Sequence, residues 1–206
     1  SVDVGGTFTD FLLINESDGS TYTAKVPSTP EDSSIGVLNG VERICEQSGV
    51  NPKDIKLVMH GTTVATNAVL TGNGAKVGLL TTKGYESILQ VARSFCPGGL
   101  GGWVSFVKGP LLAPLELTYG IKERTDASGE ISIPLDEDHL KEQLTQLKKR
   151  GQVEALTISF VNSYINNANE VLAAKIAAEI FTDVPISISS EVIPEMQEYE
   201  RAETTV

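Results

Sequence analysis

Residues 2–4 and 11–14 are apolar strand runs separated by Gly5-Gly6-Thr7, and this short gap constrains the start of the chain more than any other feature. Two strands so close in sequence must fold back on each other, and the glycines allow the tight turn. Thr21-Tyr22-Thr23-Ala24-Lys25-Val26 alternates in polarity and follows Ser17-Asp18-Gly19, whose Asp-Gly pair signals a hairpin. A third antiparallel strand is therefore expected. Thr29-Pro30-Glu31-Asp32 reads as a helix start with a capping hydroxyl, proline in the first position and acids in the first turn. Ile35, Leu38, Val41 and Cys45, with Val37 and Ile44, give that helix an apolar face that ends at Gly49.

Further on, Ile55–Met59 reads as a buried strand, Thr62–Leu70 as a short helix stopped by Gly72 and Gly74, and Lys76–Leu80 as another strand. A third helix follows Gly84, running through Ile88 to Ala92. The order β-β-β-α-β-α-β-α predicts an α/β fold: a mixed sheet flanked by helices. Residues 1–93 are expected to form this first domain. Residues 94–134 hold a glycine-rich insertion, Pro97 to Trp103, and a hairpin turning at Asp126-Ala127-Ser128-Gly129. Residues 135–206 are expected to form a smaller β-α-β region packed on the first domain or extending it. Its opening helix has Asp136 at its start, Leu140, Leu144 and Leu147 facing inward, and Lys148-Lys149-Arg150 at its C-terminus, matching the helix dipole. Leu135 and Leu140 suit a hydrophobic staple.

Composition narrows the class of function. The chain has 206 residues with 16 Lys+Arg against 27 Asp+Glu, a net charge of −11, which argues against nucleic-acid or anionic-membrane partners. It leaves phosphate ligands open, because backbone amides bind phosphate without basic side chains. No apolar run approaches the ~20 residues that cross a bilayer, and no signal-peptide pattern opens the chain. Cys45 and Cys96, with no CxxC spacing, exclude a disulfide framework and a cysteine zinc site. Zinc or manganese held within this chain is not expected, since His60 and His139 are its only histidines. A soluble, cytoplasmic setting is expected. The chain opens within a strand pattern without Met and stops after Glu203-Thr204-Thr205-Val206 without a terminator, so it reads as a piece of a longer protein.

Two stretches carry chemistry. In Asp3-Val4-Gly5-Gly6-Thr7-Phe8-Thr9-Asp10 the glycine amides can approach an anion closely, with Thr7 and Thr9 adding hydroxyls. Asp3, at the strand end, suits a water-mediated hold on Mg²⁺. The stretch is neither a Walker A loop nor GxGxxG. A tight hairpin with incidental Thr and Asp is the plainer alternative. In His60-Gly61-Thr62-Thr63-Val64-Ala65-Thr66-Asn67 a strand delivers His60 and Gly61 to its C-terminal end, where a helix begins. That edge is where open α/β sheets bind ligands, and the first helical amides with Thr62 and Thr63 favour an anion. Asn67, one turn inside, faces the same cleft. Here too a plain reading stands beside the functional one: an ordinary N-cap threonine and a satisfied core histidine.

The first stretch resembles the first phosphate motif of the superfamily that holds actin, hexokinase and the heat-shock chaperone ATPases, and the element order resembles its ribonuclease-H-like domain. The two stretches together are similar to the N-terminal region of the hydantoinase A/oxoprolinase family. Thr81-Thr82-Lys83-Gly84-Tyr85, Val161-Asn162-Ser163-Tyr164, Ser190 to Glu195 and Glu198-Tyr199-Glu200-Arg201 resemble the same family.

The resemblance implies ATP and Mg²⁺ as cofactors and an enzyme that activates an unreactive carbonyl. In the hydrolases of the family a cyclic-amide oxygen is phosphorylated and water opens the ring; in its acetone- and acetophenone-type carboxylases phosphorylation precedes carbon–carbon bond formation. By the same resemblance, Gly5, Gly6, Thr7 and Thr9 surround the phosphates, and Asp3 lies near Mg²⁺. Asp10 closes the motif as a ligand contact or as a structural hydrogen bond. His60, Gly61, Thr62, Thr63 and Asn67 line the transfer cleft, with His60 stabilising charge on the transferred group. The implied partners are a cyclic amide or ketone substrate, the missing C-terminal half of the chain that completes the cleft, and a B-type subunit. The isolated piece is expected to be inactive. A solvated charged helix is expected at Glu198–Arg201. A non-catalytic, actin-like nucleotide-binding module is the alternative from another class.

Overall fold

A computed structural model of the chain describes residues 1–72, 74–94, 101–102, 109–151 and 153–206. The chain divides into two compact units, Ser1–Gly74 and Ala75–Val206. The glycine-rich insertion expected at 97–103, with Trp103, falls almost entirely outside the described residues, as does Cys96.

In the first unit, β1 (Val2–Val4), β2 (Phe8–Ile14), β3 (Thr21–Pro27) and β4 (His60–Thr62) form one sheet in the order β3-β2-β1-β4. The first three strands are antiparallel neighbours, and β4 lies parallel to β1. One face of the sheet, carrying Val2, Val4, Phe11, Ala24 and Val26, is buried with Ile44 and Cys45 of α1 (Ser33–Ser48).

The helix α1 begins three residues later than Thr29 suggested. Asp32 is its cap and accepts from the Ser34 amide (2.9 Å), so no acid lies in the first turn. Thr29 serves the same helix end differently: its hydroxyl donates to the Asp32 carbonyl and accepts from the Gly36 amide. The buried ridge is also rotated from the expected one. Gly36, Gly40, Ile44 and Cys45 face the sheet, while Ile35 and Leu38 are exposed. Phe11 explains the rotation, because a Cβ at position 40 would lie 1.9 Å from its ring. The ring fills the space of a missing side chain, and close packing rewards that fit.

Ile55–Met59 is not a buried strand. A 3₁₀ turn spans Pro52–Asp54, and Leu57, Val58 and Met59 are exposed. The parallel register aligns His60 with Val2, so the residues before His60 run past β1, with only the Met59 carbonyl accepting from the Val2 amide. α2 (Val64–Thr71) follows and stops at Gly72, whose φ is 67°.

The second unit takes β5 (Val77–Thr82) and α3 (Ile88–Val91), both expected in the first domain. Its sheet is fully parallel: β6 (Thr118–Ile121) and β9 (Ala155–Ser159) flank β5, and β10 (Ile186–Ile188) lies outside β9. β5 is buried at every position, as central parallel strands are. A separate hairpin, β7 (Arg124–Thr125) with β8 (Ile131–Ile133), turns at the expected Asp126–Gly129, where the Asp126 carboxylate accepts from the Ser128 and Glu130 amides. α4 (Glu137–Arg150), capped by Asp136, buries Leu140, Leu144 and Leu147 with Leu80, Leu156 and Ile158. Leu135 joins that cluster, as a staple requires. α5 (Ala168–Ile180) connects β9 to β10, and α6 (Ser189–Val192) and α7 (Glu198–Thr205) complete the unit. Among the described residues, no helix is long and apolar enough to cross a membrane.

Candidate functional site

The first unit assembles most of the sequence-derived site around the end of β1. Gly5 donates its amide to the Phe8 carbonyl (3.1 Å), closing the β1–β2 turn. A Cβ on Gly5 would lie 2.9 Å from that carbonyl oxygen, and one on Gly6 would lie 3.2 Å from the Asn67 amide nitrogen. The glycines thus serve two close approaches, one within the turn and one toward α2. No described residue accepts from the Gly6 or Thr7 amide.

The start of α2 is tied to the same strand end. The Thr63 amide and hydroxyl both donate to the Val4 carbonyl (3.3 and 3.4 Å). Asn67 donates from its side chain to the Thr63 hydroxyl (3.1 Å) and from its backbone to the Thr63 carbonyl (2.8 Å). Thr63 is the N-cap residue and makes no side-chain cap of its own. Gly5, Gly6, Thr7, Thr63 and Asn67 therefore come together at one corner, where the Gly6 and Thr7 amides have no described acceptor.

Register decides the rest. Lys25, Asp10, Asp3 and Gly61 are successive cross-strand partners and form one row on the face opposite α1. Asp3 and Asp10 are both exposed there. A depression of about 500 Å³ lies beside them, with Lys25, Thr23 and Ser1 among its lining. Lys25 reaches both carboxylate oxygens of Asp10 (2.8 and 3.0 Å), which gives Asp10 the structural partner that one of its two readings required. Asp3 makes no ion pair among the described residues.

His60 and Thr62 pair with Val2 and Val4 and so project on the other face from Asp3. His60 is exposed at the outer strand, not a packed core histidine. Thr9 differs from expectation: it is 1% exposed, and its hydroxyl shares a hydrogen bond with Ser28 Oγ (3.0 Å). Odd and even residues of β2 point to opposite faces, so Thr9 cannot share the side of Asp10. Ser28 escaped the sequence reading. It donates its hydroxyl to the Gly5 carbonyl (2.7 Å) and its amide to the Thr7 carbonyl (2.9 Å), fixing the turn from beneath. The β2–β3 register, Phe8 opposite Pro27, was the signal that brings it there.

A second polar cluster sits in the second unit, at the C-terminal ends of its parallel strands. Arg201 is wholly buried, which corrects the expectation of a solvated charged helix. Its guanidinium donates to Ser189 Oγ (3.1 Å), to the Glu195 carbonyl (2.6 Å) and to the Phe160 carbonyl (2.9 Å), and pairs with Glu198. Glu170 accepts from the Phe160 amide, the Ser189 hydroxyl and the Ser190 amide at 2.6–2.9 Å. Asn162, in the left-handed region at φ 59°, donates its backbone amide to the Glu198 carboxylate and its side-chain amide to the Thr125 carbonyl. Beside these, the Thr82 hydroxyl donates to Glu123 and accepts from the Val161 amide, and Asn169 donates to the other Glu123 oxygen (2.9 Å). The family-like stretches at 81–85, 161–164, 190–195 and 198–201 therefore converge on one buried network that holds strand ends together.

Burial pushes the Glu123 carboxyl above its ordinary value, against the opposing pull of the Thr82 and Asn169 hydrogen bonds. A carboxyl raised on folding keeps its proton better in the native state, so its contribution is fully present below the unfolded pKa and is lost as pH rises through the folded one. Urea midpoints measured from about pH 4 to about pH 8 should fall less for Glu123→Gln than for the parent chain. The lowered carboxyls of Asp18, Asp32, Asp126 and Asp136 have the opposite sign and act below that window.

The fold is a mixed α/β one with a glycine turn at the end of β1, and comparison with known proteins identifies the family. Residues 1–181 match the model of the hydantoinase/oxoprolinase N-terminal region, and the chain belongs to that family. It is 35% identical over 226 residues to the acetophenone carboxylase gamma subunit of Aromatoleum aromaticum, covering 100% of this chain and 30% of that protein. Among solved structures, it resembles acetone carboxylase in its nucleotide-free form, with a TM-score of 0.88 and 27% identity over 99% of this chain and 30% of that one. It also resembles the ATP-dependent caprolactamase of Pseudomonas jessenii, with a TM-score of 0.84 and 35% identity over the same shares. The chain thus spans less than a third of these relatives. Both structures carry the mixed α/β fold, with helices flanking its sheets, that the strand order predicted.

Proposed function

We propose that this chain is the nucleotide-phosphate-binding N-terminal part of an ATP-dependent cyclic-amide hydrolase. The observation that carries the reading is the corner at which the Gly5-Gly6-Thr7 turn, with no described acceptor for its Gly6 and Thr7 amides, meets Thr63 and Asn67. ATP fits that corner through its phosphates. Mg²⁺ fits Asp3 in the way this ion is usually held, by one or two carboxylates together with water and phosphate oxygens.

When bound, ATP supplies the phosphoryl group that turns a carbonyl oxygen into a leaving group. Amide resonance otherwise keeps the carbonyl carbon a poor electrophile. Overall, the carbonyl oxygen would take the γ-phosphoryl and ADP would depart; water would add to the carbon, the C–N bond would break with a proton going to nitrogen to leave an acyl phosphate, and a second water would release phosphate and the free carboxylate. The chain's own part is positioning and charge neutralisation. Gly6 and Thr7 amides hold phosphate oxygens, Asp3 orients the hydrated cation, and Thr63 with Asn67 fixes the geometry of the turn. His60, at the outer strand, is the candidate to stabilise charge on the group in transfer. A longer chain would supply the remaining domains, and a B-type subunit would be its separate partner.

A carboxylase is the second reading, favoured by the acetophenone and acetone carboxylase relatives. One assay separates the two. The natural-length protein, with its partner subunit, is incubated with ATP and either a lactam or hydantoin, or a ketone with labelled bicarbonate. ADP formation coupled to ring opening is the expected result. Label fixed into a ketone product would establish the carboxylase instead.

A further inference from the structure

The parallel sheet of the second unit has a topological switch point. The connection leaving β5 runs through α3 to β6 on one side, while α5 carries β9 to β10 on the other. The helices divide accordingly. Val77 and Leu79 of β5 pack with Leu89 of α3 and Ala202 of α7, whereas Leu80 packs among residues of α4 and α5. In open α/β sheets, ligands bind in the crevice outside the C-terminal ends of two strands whose connections diverge in this way. Here those ends are Thr82 of β5 and Ser159 of β9.

A cavity of about 710 Å³ lies beside that crevice, within the range of small-molecule sites. Gly84 and Tyr85, directly after β5, form part of one wall. Glu198 stands in another, and its carboxylate accepts from the backbone amide of Asn162 just past β9 (3.0 Å). All of these residues belong to the second unit. The lining is chiefly apolar, with Ile88, Val91 and Met196 beside the rings of Tyr85 and Tyr199. Both carboxylates in the wall have an arginine of their own: Glu198 pairs with Arg201 and Glu200 with Arg93. The wall charges therefore cancel, and a charged ligand would give up its hydration for no counter-charge. Ser87 and Gln197 add neutral hydrogen-bonding groups to the same lining.

We infer that the cavity between α3 and the start of α7 is a binding site for an uncharged, largely apolar small molecule: a ring carrying one carbonyl or amide group. The aliphatic side chains and tyrosine rings take the ring, and Ser87 with Gln197 meets its polar group. The inference uses no residue of the glycine corner and stands whether or not that corner binds ATP.

Saturation-transfer NMR titrations of the natural-length protein compare benzamide, benzoate and benzylamine, which share one ring and differ in charge at neutral pH. Benzamide is expected to bind saturably with a Kd of about 1 mM, within reach of a fragment of its size. The two ions are expected to bind about tenfold more weakly, because each must be desolvated without a partner. Met196 is 64% exposed, so Met196→Trp is expected to fill the cavity and weaken benzamide about tenfold without moving the melting temperature of the ligand-free protein. Val91→Trp, at a position 51% exposed, serves if the first variant does not fold. Glu200→Gln releases Arg93 and is expected to tighten benzoate about tenfold while leaving benzamide unchanged. The inference is overturned by the absence of saturable benzamide binding, by benzamide binding that neither tryptophan weakens, or by either ion binding the parent as tightly as benzamide. Benzoate affinity unmoved by Glu200→Gln would overturn it as well.

Discussion

Replacing Arg201 with alanine is expected to remove about 3–5 kcal/mol from the stability of the second unit, the cost typical of breaking a buried charge network. The side chain is fully buried, and its three donor nitrogens serve Ser189, Glu195, Phe160 and Glu198. Truncation removes a donor from the Ser189 hydroxyl and from the Phe160 and Glu195 carbonyls, and opens a cavity the size of a guanidinium and its stem. Because whole domains hold only ~5–15 kcal/mol, this is a large share. Arg201→Lys keeps the charge but loses the planar fork, so it should recover only part of the loss. Denaturant midpoints of the three proteins check the order, parent above lysine above alanine. An alanine variant as stable as the parent would show that Arg201 does not hold the strand ends.

Asp3→Asn in the natural-length protein is expected to lower ATP-dependent turnover by about 10–100-fold, as outer-sphere metal contacts do when removed. Added Mg²⁺ should restore part of the loss. Asp3 is exposed and unpaired among the described residues, so the melting temperature should stay where it was. His60→Ala provides the companion measurement. Its expected effect falls on substrate-dependent hydrolysis far more than on ATP affinity, as a transition-state contact requires. Equal losses in affinity and turnover, or none, would favour a nucleotide-binding module that changes shape without catalysing a reaction. Steady-state kinetics and calorimetric titration of ATP separate these outcomes.

Features governed by neighbours in sequence were readable without coordinates. The Gly5-Gly6 turn, the Asp126–Gly129 hairpin, and the helix with Leu140, Leu144 and Leu147 inward are all set within a few residues of themselves. So was the family likeness of the Asp3–Asp10 stretch, because its glycines and adjacent hydroxyls lie in one short run. Long-range choices were not readable. The periodicity of α1 pointed to Ile35 and Leu38, yet the Phe11 ring selected the glycine at position 40. Nothing near Ile55–Met59 showed that β1 would pair only from His60 onward. Glu198–Arg201 carries the composition of a solvated helix, and only the strand ends arriving from residues 160 and 189 make it a core element.

By itself, the sequence determined most of the strands and helices, the turns between them, and the glycine turn at the end of β1. Local dihedral preferences and short-range hydrogen bonds are enough for that. The tertiary structure alone decided that β5 joins the second sheet, that Thr9 backs the turn through Ser28 while Asp3 and Asp10 share the open face, and that Arg201 is buried. These outcomes rest on strand register and on which distant surfaces exclude water together, and a one-residue shift in register would exchange the faces of every side chain along the strand.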